Sequence, residues 1–205
     1  MHQEPSIIKI VITGGPCAGK TTAMKLIRSH FKPLGYTVLI IKETATELIS
    51  SGVAPWTCGT NAEYQKCQFR LQLEKEKIFE MGARTMPVEK ILLVCDRGVL
   101  DNRAYMNDAE YAEVLDYIGM DEASLLQGYA GVFHLASAAK SSEAFYSLEN
   151  NEARYETKEE AIELDNRLWE AWSGHPYHKY IQDELVFDTK MDHLLEEITL
   201  LLDIL

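Results

Sequence analysis

The sequence predicts an α/β fold: a five-stranded parallel sheet flanked by helices. Three observations predict it. Short β-branched and apolar runs alternate with amphipathic segments along the chain, and such runs are strands covered on both faces. The first run, Ile7-Ile8-Lys9-Ile10-Val11-Ile12, leads into Gly14-Gly15-Pro16-Cys17-Ala18-Gly19-Lys20-Thr21, which matches G-x-x-x-x-G-K-[ST] at every defined position. A later run, Ile91-Leu92-Leu93-Val94-Cys95-Asp96, stays apolar until it ends in aspartate.

The strand, the glycine loop and the helix predicted over Thr21 to Phe31 form an anion cradle in that order. Backbone N–H groups converge, the helix dipole favours negative charge, and glycines allow close approach. Gly14 through Thr21, with Thr22, is therefore the predicted phosphate-binding set for ATP or GTP. Lys20 is expected to reach the β- and γ-phosphates and the Thr21 hydroxyl to ligate Mg²⁺. Asp96 ends its strand where it would hold the Mg²⁺ shell opposite Thr21, the Walker B arrangement. ATPases of the motor and chaperone type usually place a glutamate next, to polarise water. Here Arg97 follows, which points away from water as the acceptor.

Pro33-Leu34-Gly35 turns the chain into a second strand, Thr37 to Ile41, which stops at Lys42-Glu43-Thr44. Ligands of open α/β sheets bind outside the carboxyl ends of strands, so Glu43 either shares the rim with the glycine loop or pairs with Lys42 at the surface. Ser50 to Thr60 reads as a loop carrying Trp56. A long charged helix follows over Asn61 to Met81, with Leu71, Ile78 and Phe79 expected in the core and Gly82 and Pro87 as breakers. Its Gln65, Gln68, Arg70 and Gln72 fall on more than one face and read mostly as solvated surface. Some of them, with Trp56 and Tyr64, could line an acceptor pocket.

Leu100 to Met106 and Tyr111 to Ile118 read as helices, with Gly119 as a stop. Gly131 to Leu135 is a fourth strand, in which His134 is expected to be packed. Ser137 to Asn151 has no clear period. Thr157 to Trp172 reads as a helix opened by a capping box, Thr157 with Glu160. Arg154 and Arg167 sit in an otherwise acidic stretch, as charge-pair partners or as the arginines of a lid over about 137–170. The fifth strand is either Tyr177 to Ile181 or Leu185 to Phe187, the first being favoured. Asp188 to Leu202 closes the chain as an amphipathic helix.

With 205 residues, 46% of them hydrophobic, the chain is long enough for one full domain over 1–205. A net charge of −12 argues against nucleic acid or an anionic membrane as the main partner. Cys17, Cys58, Cys67 and Cys95 form no CxxC pair and no metal-ligand spacing, as expected of a reduced cytoplasmic protein. His175 and His178 flank Pro176 and are not expected to hold zinc. No apolar stretch is long enough to predict membrane insertion.

Together these motifs resemble the small P-loop domain, labelled AAA-type, that ribosylnicotinamide-kinase-like proteins share with the TRPL translocation defect protein. The resemblance rests on GGPCAGKT, on Lys42-Glu43-Thr44-Ala45-Thr46 and on Cys95-Asp96-Arg97-Gly98. It continues through Phe145-Tyr146-Ser147-Leu148-Glu149-Asn150-Asn151-Glu152-Ala153-Arg154 and Ala171-Trp172-Ser173-Gly174-His175-Pro176. Relatives end the fifth strand in Ile-Asp-Asn, where this chain has Ile181-Gln182-Asp183. A fainter similarity to nucleoside and nucleotide kinases implies roles for Glu43 at the acceptor hydroxyl, Asp96 and Arg97 at metal and phosphates, and Arg154 and Arg167 in a lid. Asp96-Arg97-Gly98 followed by Ala104-Tyr105 also resembles thymidylate kinases.

Two activities follow as expectations. The first is a Mg²⁺-dependent small-molecule kinase, nucleoside-like in its unidentified acceptor, with Lys20, Glu43, Asp96, Arg97, Arg154 and Arg167 as catalytic residues. The alternative is a GTP-binding, NTP-hydrolysing switch, for which Thr189-Lys190-Met191-Asp192 would read guanine. Against it, few residues follow Asp192, and Asp96-Arg97-Gly98-Val99 lacks the D-x-x-G spacing of switch GTPases. A binding module without turnover is a third possibility.

Overall fold

The computed structural model describes residues 4–140, 157–182 and 186–205. Five parallel strands form one sheet in the order β2-β3-β1-β4-β5. They are β1 (Ser6–Thr13), β2 (Tyr36–Ile41), β3 (Lys90–Asp96), β4 (Gly131–Leu135) and β5 (His178–Ile181). In the β1–β3 register Ile12 lies opposite Asp96, so the glycine loop and the aspartate leave the sheet side by side.

Alternation along the strands feeds two cores. Ile10 and Ile12 of β1, with Leu92 and Val94 of β3, pack under helices α1 (Lys20–Phe31) and α7 (Phe187–Ile204). Val11, Leu93 and Cys95 point the other way. There they meet α3 (Asn61–Arg84), α4 (Asp108–Ile118), the 3₁₀ segment Val99–Tyr105 and Trp172 at the end of α6 (Lys158–Ala171). Both faces of β1 are thus covered over its carboxyl half, Ile10 to Thr13, while Ser6 is exposed and Ile7 to Lys9 are only partly buried. Two short helices, α2 (Thr44–Ser50) and α5 (Glu122–Leu126), complete the described residues. None of the described helices is long and apolar enough to cross a membrane.

Several local expectations are corrected. Helix α3 runs through Gly82 to Arg84; a single exposed glycine costs only about 1 kcal/mol in a helix, and the chain leaves the helix just before Pro87. Ile78 and Phe79 are exposed rather than core. The buried face of α3 instead carries Tyr64, Gln65, Gln68, Phe69, Gln72 and Glu76, so three of the four residues read as solvated are inside. The stretch expected as a helix over Leu100 to Met106 is instead a 3₁₀ helix over Val99–Tyr105, with Met106 extended. The fifth strand is the favoured one, and Phe187 starts α7 instead. Of the stretch from Ser137 to Asn151, a 3₁₀ turn over Ala138–Lys140 is described.

Candidate functional site at the carboxyl end of the sheet

The glycine loop is built to approach its ligand closely. Gly14 has φ +132°, and a Cβ there would lie 2.1 Å from the Leu135 carbonyl oxygen. Cys17 takes a left-handed conformation, φ 57°, uncommon outside glycine. Side chains brace the loop from behind. The Ser137 hydroxyl donates to the Pro16 carbonyl (2.7 Å), and the Asp165 carboxylate of α6 accepts the Gly15 N–H (2.8 Å). The same Asp165 oxygen lies 2.9 Å from His134 Nε2, so the packed histidine, the loop and α6 share one anchor.

Lys20 opens α1 and folds back, its Nζ donating to the carbonyls of Gly14 (2.8 Å) and Gly15 (3.0 Å). Burial, with the Arg97 charge nearby, lowers its pKa to about 7. A phosphate group would restore the charge that burial disfavours. Thr21 and Thr22 are exposed at the head of α1. Asp96 shares the sheet face of Leu92 and Val94, which is the face α1 covers. Burial, and the Glu43 carboxylate, push its pKa up against the pull of Lys20.

Arg97 is the turning point. It sits at φ 67°, a strained conformation for a bulky residue, and its N–H is held by the Ile12 carbonyl (3.1 Å). Gly98 follows because Trp172 and Val11 leave no space for a Cβ. This turn aims Arg97 Nε at Glu43 Oε1, 2.6 Å away. Glu43 therefore pairs with Arg97 on the site rim and not with Lys42, which is exposed. Thr46 donates to its other oxygen (2.6 Å). Burial alone would raise the Glu43 pKa, but Arg97, Thr46 and Lys20 outweigh it and hold the carboxylate below its ordinary range. Gln72 of α3 closes the back of the turn: its amide donates to the Arg97 carbonyl (3.4 Å) and accepts from Thr44.

The structure thus brings Lys20, Glu43, Asp96 and Arg97 to one rim with the glycine loop. Other expectations do not gather there. Arg154 lies outside the described residues. Arg167 is exposed and lines a groove with Arg103, Asp108 and Glu170; two residues from Asp165 is about 200° around a helix, so it faces away from the loop. Asp192 lines a groove with His30, ten residues along α1 from Lys20 and thus roughly 15 Å from the loop by helical rise. Lys190 is buried and donates to the Ala136 carbonyl (2.7 Å). Nothing in that arrangement brings Asp192 to a base.

Two supporting acids were missed. Asp165 lies within the acidic stretch around Arg154 and Arg167, yet it is fully buried at the loop. Asp101 is also buried, accepting from Thr13 (2.6 Å), Trp172 Nε1 (2.7 Å) and the Gly98 N–H (3.2 Å). Its position three residues after Gly98 was the available signal, as in an acidic helix start.

A family model described as an AAA domain matches residues 9–185. The chain belongs to that family. A search of curated proteins finds no match for this AAA domain. Among solved structures, a thymidylate kinase from Ehrlichia chaffeensis superposes with a TM-score of 0.60 at 13% identity, over 97% of this chain and 100% of that one. That likeness shows a shared P-loop kinase fold.

Proposed function

We propose that this AAA domain binds ATP or GTP with Mg²⁺ and transfers the γ-phosphoryl group to a hydroxyl of a nucleoside-like small molecule in the cytoplasm. The supporting observation is the Glu43–Arg97 pair, 2.6 Å apart on the rim beside Lys20. It gives the site a second set of polar groups next to the phosphate cradle, where a second substrate would sit. The resemblance to ribosylnicotinamide-kinase-like proteins supports the same reading.

The donor set suits the metal: the Thr21 hydroxyl and Asp96 carboxylate are hard oxygen ligands of the kind Mg²⁺ takes. When bound, Mg²⁺ neutralises charge on the phosphates. Lys20 exchanges the two loop carbonyls for phosphate oxygens. Glu43 accepts a hydrogen bond from the acceptor hydroxyl and orients it. Its lowered pKa makes it a weak proton acceptor at neutral pH, which suffices because phosphoryl transfer depends on positioning more than on strong base catalysis. The acceptor oxygen forms a bond to the γ-phosphorus as the bond to the bridging oxygen breaks. The nucleoside diphosphate leaves with the electron pair, and the hydroxyl proton passes to solvent. Arg97 holds Glu43 and adds positive charge at the same edge.

The test is incubation with γ-labelled ATP and GTP, with and without a panel of hydroxylated acceptors. Acceptor-dependent appearance of labelled product supports the proposal. Hydrolysis that ignores every acceptor would overturn it. Arg154, carried over from the resemblance as a lid residue, is expected to lower turnover far more than nucleotide affinity when changed to alanine.

A further inference from the structure

The backbone amides of the glycine loop are not equally free to meet a phosphate. Pro16 has no N–H. The Gly15 N–H already donates to Asp165 Oδ1 (2.8 Å), and the Thr22 N–H to the Gly19 carbonyl (3.1 Å). Lys20 and Thr21 open α1, where the first N–H groups have no partner within the helix. The loop therefore divides into an early part, Gly15 and Pro16, held from behind, and a later part ending at Thr21 that keeps helix-terminal N–H groups for an anion.

The hold on the early part is tight. Asp165 and His134 are both fully buried. The Asp165 oxygen that accepts Gly15 takes a second donor, since His134 Nε2 lies 2.9 Å from it. A ring nitrogen facing a carboxylate carries the proton. Nδ1, which has no hydrogen-bond partner among the described residues, is then a lone pair and not a stranded N–H. The imidazole is fixed from two sides. Tyr180 of β5 stacks on it (ring centroids 5.3 Å apart, planes at 15°), and Trp169 of α6 meets it edge-on (5.6 Å). On the loop side, a Cβ on Gly15 would lie 2.9 Å from the same Asp165 oxygen and 3.2 Å from the Ser137 Cβ. A buried carboxylate behind a phosphate site has two costs, its own desolvation and repulsion of the incoming anion. What the geometry offers against both is a loop already set in one conformation.

We infer that Asp165 is a positioning residue for nucleotide binding: seated by His134, it takes up the Gly15 N–H and holds the glycine loop in its binding-competent form. The inference rests on the nucleotide-binding part of the function proposed above. A loop without this brace samples other conformations, and apparent affinity falls by the fraction that stays competent. The fall appears in the association rate, because the bound complex itself is unchanged. Asn in place of Asp keeps a carbonyl oxygen that can accept both bonds, whereas Ala keeps neither.

The test follows binding of fluorescent non-hydrolysable ATP and GTP analogues with Mg²⁺ to the full chain by stopped flow, beside thermal melting. Asp165→Ala is expected to lower affinity about tenfold, the equivalent of one buried hydrogen bond, through slower association with dissociation unchanged. Asp165→Asn is expected to recover most of that loss. Equal affinity in a folded Asp165→Ala, a loss carried by dissociation alone, or Asp165→Asn no better than Asp165→Ala would each overturn the inference and leave the nucleotide reading intact. A wild type that binds neither analogue would overturn both. A second arm needs no variant. Amide hydrogen exchange in the wild type is expected to be slow at Gly15 with and without the analogue, and to slow at Lys20 and Thr21 only with it. Fast exchange at Gly15 in the nucleotide-free chain would also overturn the inference.

Discussion

The two halves of α3 carry the same kinds of side chain on the same face and treat them in opposite ways. In the second half, Glu76 accepts from Gln72 (2.7 Å) and from Tyr129 (2.8 Å), and pairs with Lys9 (3.0 Å), which also meets Glu80 (2.6 Å). In the first half, Tyr64, Gln65 and Gln68 each leave a buried oxygen without a hydrogen-bond partner among the described residues. The two lysines of the neighbouring strand-loop-helix unit repeat the contrast. Burial would lower Lys9, but Glu76 and Glu80 reverse it and raise its pKa. Lys20, with only loop carbonyls in contact, is left with a pKa of about 7. The partners of Gln72 and Glu76 tie the second half of α3 to β1, Thr44 and Tyr129, whereas the Tyr64, Gln65 and Gln68 oxygens make no such tie among the described residues.

The largest effect should come from breaking the satisfied half. Glu76→Leu leaves Lys9 with only the partly exposed Glu80 as an ion-pair partner among the described residues, and removes partners of Gln72 and Tyr129. The expected loss is about 3–5 kcal/mol, the range for removing one member of a buried pair. Urea unfolding measures it, and adding Lys9→Met should recover most of the loss. If Glu76→Leu alone costs no more than a surface substitution, the contrast between the halves collapses. Gln72 sits at the junction, so Gln72→Leu should cost about 1–3 kcal/mol through Thr44, Glu76 and the Arg97 carbonyl.

The lysines sharpen the comparison through pH. In the unfolded chain Lys20 titrates near 10.5 and in the folded chain near 7, so the unfolded state binds more protons between those values. Stability from this group therefore rises with pH across that window. Nucleotide binding should run the other way. Phosphate raises the Lys20 pKa, a proton is taken up, and affinity falls above pH 7 by up to about tenfold per pH unit. Calorimetry in buffers of different ionisation enthalpy counts the proton. Lys9, raised rather than lowered, keeps its charge and its contribution throughout that range and loses them only when pH passes its folded-state value. A pH-independent nucleotide affinity between pH 7 and 9 would mean that Lys20 does not respond as its surroundings require.

The fold was legible because parallel strands and the glycine loop write their constraints locally. Ile7 to Ile12 must be covered on both faces, and Gly14 must tolerate a carbonyl at contact distance. Asp96 followed by Arg97 was legible for the same reason. The face of α3 was not. Reading by hydrophobic period sends Ile78 and Phe79 inward and glutamines outward. The structure reverses this because Gln72 and Glu76 find partners on β1, on α2 and in the Arg97 turn, far away in sequence. Asp165 was hidden likewise: in an acidic run nothing local distinguishes the carboxylate that meets Gly15. Short α2 and α5 lacked the length that a period needs to show. The charge of Arg167 suggested a lid, but only the helical phase set by buried Ala161, Asp165 and Leu168 says which way it points.

The smallest predicted effect tests whether the two halves are separable at all. Thr60 caps α3, its side chain accepting the Glu63 N–H (3.2 Å). Thr60→Ala removes that cap at a cost of about 1 kcal/mol. The first turns are tied at or near the surface, by Asn61 to Tyr105 and Glu110 and by Lys66 to Glu113, whereas Gln72 and Glu76 tie the later turns inside to β1, Thr44 and Tyr129. Lost capping should therefore appear as local opening: faster amide hydrogen exchange over residues 62–68, with little change over 72–80. Uniformly faster exchange along the whole helix would show that α3 opens as one unit. The unsatisfied half would then be held as firmly as the satisfied one.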